Sequence, residues 1–217
     1  MKKRAALTLL PSLLLGACSV VGIRDAPEPA STVIGRVGAV EIRSYAPTAA
    51  AETTVTGSEL YARSIGFQRL FAYITGSNTG RHKIAMTAPV AQARAEKIAM
   101  TAPVAQMQAS AGAWTVRFFL PPTVTPATAP LPSDPRVAVV AVPARTVAVL
   151  RFSGQGTPSD VAGEGRRLDA ILATSTWQAD GPLVAWFYDP PWTLPPFRRN
   201  EVARQVEPRS AQAPSGL

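Results

Sequence analysis

Few residues in this chain are of a type that does chemistry. His82 is the only histidine and Cys18 the only cysteine among 217 residues. A neutral imidazole can ligate iron or act as a base, yet His82 stands between Arg81 and Lys83 after a glycine-containing turn, the setting of a solvated loop. Met86, Met100 and Met107 offer thioethers that suit copper(I), although methionines on strands ordinarily fill core space. Ser153, in Phe152-Ser153-Gly154, is not in a Gly-x-Ser-x-Gly elbow. With one histidine, any Ser/His/Asp arrangement has to use His82. No His/Cys/carboxylate spacing suits zinc, no paired carboxylates stand out, and no glycine-rich phosphate loop follows a strand. The expectation is a protein that is not an enzyme.

Cys18 has a clearer assignment. Lys2, Lys3 and Arg4 precede a short apolar run, Ala5 to Leu15, broken by Pro11 and too short to span a bilayer. It ends in Leu15-Gly16-Ala17-Cys18, which resembles a bacterial lipobox: a branched apolar residue, two small ones, then the thiol that takes the lipid. Residues 1–17 are expected to be a lipoprotein signal peptide, with Cys18 lipidated and residues 18–35 a flexible tether. Ser19 after the cysteine, in place of aspartate, favours the outer membrane facing the periplasm. A lone cysteine excludes a disulfide within one molecule. Loss of residues 1–17 lowers the formal net charge from +8 to +5, a modest bias without a Lys/Arg run and interleaved aromatics. Nucleic acid is not an expected partner.

Between tether and tail the chain reads as strands with two helices. Val40, Ile42 and Ser44 alternate with Glu41, Arg43 and Tyr45, a half-buried strand. A second strand follows at 49–56. Ser58 then caps a helix on which Leu60, Phe67, Phe71 and Ile74 share one face, and Gly76 and Asn78 stop it. Strands are expected at 83–92, 97–107 and 113–120, and the prolines from Pro121 to Pro135 mark a long surface connection. The order then recurs: strands at 136–142 and 146–152, a helix near 158–173 with Leu168, Ile171 and Leu172 as its stripe, and strands at 183–189 and 201–206. Gly163 and Gly165 weaken this second helix. Residues 207–217 read as a disordered tail. Element order alone predicts an internally duplicated α+β domain, with antiparallel sheet against two helices.

One segment is present twice: Lys83 to Gln92, Lys-Ile-Ala-Met-Thr-Ala-Pro-Val-Ala-Gln, recurs unchanged as Lys97 to Gln106. With Gly66-Phe67-Gln68-Arg69-Leu70-Phe71-Ala72-Tyr73-Ile74, Arg151-Phe152-Ser153-Gly154, and Tyr188-Asp189-Pro190-Pro191-Trp192-Thr193 running into Pro196-Phe197-Arg198-Arg199-Asn200-Glu201-Val202, the chain resembles the SOUL, or haem-binding-protein, family. The resemblance spans roughly residues 37–206 and assigns residues 36–206 to one SOUL-like domain. It implies a distorted antiparallel β-barrel flanked by two helices, with strand-strand-helix-strand halves, and non-catalytic binding of haem or a related tetrapyrrole. It also implies a shallow apolar cleft against the first helix, lined by Phe67 and Phe71 with Met86 nearby. Arg198 or Arg199 would meet the propionates, and His82 is the possible axial ligand. A flat apolar disc with two anionic arms suits such a lining. Two other readings stay open. The same cleft suits a lipid or a protein partner, and Phe67, Phe71, Arg198 and Arg199 suit plain packing and ion pairing.

Overall fold

The computed structural model describes residues 26–95 and 112–209. The signal peptide, residues 18–25 of the expected tether with Cys18, the second repeat copy, Met100, Met107 and most of the expected tail lie outside these residues. Ten strands and two helices follow in order: β1 Ser31–Val37, β2 Val40–Tyr45, β3 Thr48–Thr56, α1 Glu59–Ile74, β4 Val90–Arg94, β5 Ala113–Phe119, β6 Val137–Val142, β7 Arg145–Phe152, α2 Pro158–Ala173, β8 Trp177–Ala179, β9 Val184–Phe187 and β10 Asn200–Pro208. All strand pairings are antiparallel, in the order β1-β2-β7-β10-β9-β4-β5-β3-β6, with β8 added to β10.

Local chemistry accounts for the helix ends. Ser58 Oγ accepts from the Tyr61 N–H at the start of α1. Thr157 and Asp160 form a reciprocal capping box ahead of α2, with Pro158 inside its first turn, where a missing N–H costs nothing. Both helices lie on one face of the sheet. Leu70, Tyr73 and Ile74 of α1 pack with Val116 and Phe118, and Leu168 and Leu172 of α2 pack with Ile42, Leu150 and Val202. The opposite face closes on its own core of Tyr45, Phe119, Val147, Val149, Trp186 and Ala203. Strand alternation enforces this division: Val147 and Val149 point to one face while Ala148 and Leu150 point to the other.

The two halves share one pairing pattern. β3, β5 and β4 lie side by side, as do β7, β10 and β9. Each half lends its first strand to the other, β2 onto β7 and β6 onto β3. β4 and β9 meet at the centre, with Ala91 opposite Trp186 and Gln92 opposite Ala185. Among the described residues no ladder joins β6 to β1, so the sheet is open and a closed barrel is not what these pairings form.

Four strand expectations change. The strand expected at 83–92 begins only at Val90. Ile84 N–H donates to Ile74 O at 2.8 Å, and Thr87 Oγ donates to Phe119 O, so residues 83–89 run as an irregular strap rather than a ladder. Pro89 has no N–H to offer a neighbour. β1 occupies Ser31–Val37, beginning inside the segment expected as tether, because its backbone completes the free edge of β2. The three-residue β8 carries no alternation long enough to be read, and β10 runs past the expected start of the tail.

Each helix turns a glycine toward the sheet at its eighth residue, Gly66 and Gly165, and both are buried. A Cβ on Gly66 would lie 2.5 Å from Val116 Cγ2. Gly66→Ala therefore forces α1 away from β5 and is expected to cost about 1–3 kcal/mol, read as a lower urea midpoint at unchanged slope.

Candidate functional site

The buried residues of α1 are Ala62, Gly66, Leu70, Tyr73 and Ile74, so of the expected face only Ile74 is buried and Leu60, Phe67 and Phe71 are not. Those three recur along the neighbouring flank and face solvent, with Phe67 37% and Phe71 44% exposed. The small residues Ala62 and Gly66 let that face press onto β5, and the larger aromatics are left on the flank. Their rings stack with centroids 5.7 Å apart and planes within 10° of each other. Phe67 is braced edge-on by Phe118 at 5.3 Å. The result is an exposed ledge of two stacked rings, with Phe67 held from below.

Arg63 lies on the same flank one turn earlier. It donates to Gln92 Oε1 at 2.8 Å and to Gly156 O at 2.9 Å, and its guanidinium sits 3.7 Å from the Phe187 ring centroid. Burial pulls its pKa below the ordinary arginine value against the opposing charge of Glu59. Arg63 thus ties α1 to the loop that starts α2, and the sequence offers no signal for it.

Met86 is in the strap and exposed, outside the packed clusters, so it does not fill the core as a strand methionine would. His82 follows a short helical turn at 79–81. Its N–H donates to Asn78 Oδ1 at 2.9 Å, and its carbonyl accepts from Asn78 Nδ2 at 2.8 Å. The ring folds back over Gly80, where an added Cβ would stand 2.5 Å from Nε2. The main chain of His82 is pinned and its side chain is exposed.

Both late arginines are committed inside the protein. Arg198 Nε donates to Thr193 O at 2.7 Å and its NH2 group donates to Pro191 O, closing the turn at 190–197. Arg199 donates to Glu201 Oε1 through Nε at 3.0 Å and through NH2 at 2.8 Å, reaches Glu28 at 2.7 Å, and stacks on Tyr188. The propionate role carried over from the family therefore competes with bonds already made. Glu201 is fully buried and also accepts from Arg43 at 2.9 and 3.1 Å and from the Tyr188 hydroxyl at 2.7 Å. Burial pushes its pKa up, but the hydrogen bonds and charges of Arg43, Tyr188 and Arg199 outweigh that and hold it below the usual carboxylate value. Burial, followed by the Glu201 charge, pushes the Tyr188 phenol far up, so it stays a donor.

A family model described as "SOUL heme-binding protein" matches residues 26–205, covering the described fold almost end to end. The chain belongs to the SOUL haem-binding family. No curated protein matches this SOUL chain in sequence. Solved structures share its fold at low identity. The EcmrR C-terminal domain has a TM-score of 0.54 at 10% identity, covering 78% of this chain and 97% of that one. EcmrR in its cryo-EM complex with DNA gives 0.57 at 9% identity, where the match spans 78% of this chain and only 57% of the other. A hydrolase from Listeria innocua gives 0.55 at 12% identity, covering 84% and 94%. At such identities the likeness is one of fold.

The exposed aromatic pair of the SOUL domain is apolar and braced from below by Phe118. Haem as a non-covalent ligand is consistent with the family. The two cations that the family resemblance nominates, Arg198 and Arg199, are spent on internal acceptors.

Proposed function

We propose that this protein is a lipid-anchored SOUL protein of the bacterial envelope that binds haem or a related tetrapyrrole, without catalysis, on the exposed flank of α1. It would serve as carrier, buffer or sensor. The observation that carries the reading is the stacked, exposed Phe67–Phe71 pair on a chain of this family. Bound haem supplies its own apolar plane and iron. The chain's part is to cover one face of the ring with Phe67 and Phe71. Phe118 keeps that surface from collapsing, and Arg63 holds the end of the helix in place.

Haem titration of the purified protein, followed at the Soret band, is the test. Saturable one-to-one binding is expected; non-saturating partition into a protein that stays folded would sink the haem reading. In that case lipid co-purified from the native membrane, seen by native mass spectrometry, would move the same ledge to an apolar tail. His82→Ala is expected to leave the Soret maximum in place and the affinity within about twofold, because the imidazole lies over Gly80. A shifted maximum in that variant would make His82 the axial ligand. For the anchor, Cys18→Ser is expected to move the protein from the membrane pellet to the soluble periplasmic fraction.

A further inference from the structure

On the face of the sheet opposite the helices, guanidiniums are matched to carboxylates. Arg43 meets Glu41 and Glu201, Arg117 meets Glu52, and Arg199 meets Glu28 and Glu201. Arg145 is the exception. It opens β7 on the same face as Val147 and Val149, and no carboxylate among the described residues lies within ion-pair distance of it. Its NH1 group is buried without a hydrogen-bond acceptor. The rings of Tyr45 and Phe119 stand 5.3 and 5.4 Å from the guanidinium carbon. Burial, and after it the charge of another arginine, Arg117, depress the Arg145 pKa.

Arg145 is half-buried, and a cation drawn partly out of water without a counter-charge is costly, as is its buried donor without an acceptor. Stacking on two rings recovers part of that cost and satisfies no N–H. Arg117 also lines a cavity of about 270 Å³ on this face, together with Glu52, Arg94 and Thr115. Glu52 is already engaged by Arg117, with Nε to Oε2 at 3.0 Å, so its charge is not available to Arg145.

We propose that Arg145 is the seat of a small oxyanion, a phosphate or a short carboxylate, on the face of the sheet remote from α1. Rings near the guanidinium leave its edge donors as the binding surface. A group with two oxygens in one plane answers that fork. The site does not depend on the tetrapyrrole reading, and its test uses no haem.

The experiment is thermal unfolding of the full chain in inorganic phosphate or succinate, each matched in ionic strength by chloride. A saturating rise is expected, about 5 °C once the anion is a hundredfold above its Kd. A rise with phosphate alone assigns a phosphate group, with succinate alone a carboxylate, and with both an oxyanion seat of either kind. Arg145→Met is expected to abolish the rise and to match or exceed the wild-type melting temperature without ligand. Arg136→Met, at an exposed pair with Asp134, is expected to keep the rise. Arg145→Lys, which keeps the charge but not the fork, is expected to bind about tenfold more weakly and covers the case where the methionine variant does not fold. The proposal is overturned if neither anion exceeds chloride, or if the methionine or lysine variant binds as wild type does.

Discussion

Glu201→Ala is expected to destabilise the protein by about 3–5 kcal/mol, the largest single-residue effect in the molecule. The carboxylate has no exposed surface and accepts from Arg43, Arg199 and Tyr188. Its removal leaves two guanidiniums and a phenol turned toward one another inside the fold, with no anion between them. Arg43 comes from β2 and Tyr188 from the segment after β9, so the loss is felt across three elements. Equilibrium urea unfolding measures it, with Glu201→Gln beside it as the variant that keeps shape and loses charge. A cost below about 1 kcal/mol would mean that the two arginines find water as readily as the acid.

The same group gives a signed pH dependence. Its folded pKa lies below the ordinary value of 4.5, so its contribution is fully present above that pH and is lost as pH falls through the folded value. Wild type is therefore expected to lose stability on acidification below about pH 4.5, and Glu201→Gln to lose less over that window. Identical acid profiles for the two proteins would show that other carboxylates carry the acid response.

The second large effect concerns ligand binding. Phe67→Ala/Phe71→Ala removes the stacked ledge and is expected to weaken haem affinity at least about a hundredfold, a sum of lost apolar cover and ring contact. Both residues are more than a third exposed, so stability is expected to change by only about 1–2 kcal/mol, mostly through the Phe67 contact with Phe118. Soret titration and urea unfolding of one preparation separate the two. Unchanged haem affinity with an intact fold would remove the α1 flank from the site. Arg198→Ala serves as the contrast: it is expected to loosen the turn at 190–197 and to disturb haem only through that loosening.

Short-range features are legible in the amino-acid sequence. The helix expected near 158–173, with Leu168, Ile171 and Leu172 as its stripe, is observed over that range, and the Thr157–Asp160 box that starts it is itself a local feature, between residues three apart. The alternation at 40–45 and 113–119 places β2 and β5 because one face of each strand is core. Recurrence of strand, strand, helix and strands identifies two similar halves. That each half gives its first strand to the other is not legible, since backbone pairing is indifferent to which alternating strand it meets.

The site itself is half legible. Family resemblance singles out Phe67 and Phe71, and their spacing puts them on one side of α1. Spacing also joins them to Ile74 as a packing face, and only packing decides otherwise. Ala62 and Gly66 let the helix approach Val116 along a different stripe, and that close approach leaves the phenylalanines outside. Arg199 sits two residues from Glu201 and their pairing is local, but Arg43 is 158 residues away. Sequence carries no record of such a partner, because a charge is matched by whatever the folded sheet brings opposite it. Arg145 is the reverse case: an ordinary strand-end arginine by sequence, whose exceptional state exists only because Tyr45 and Phe119 close around it and no carboxylate among the described residues does.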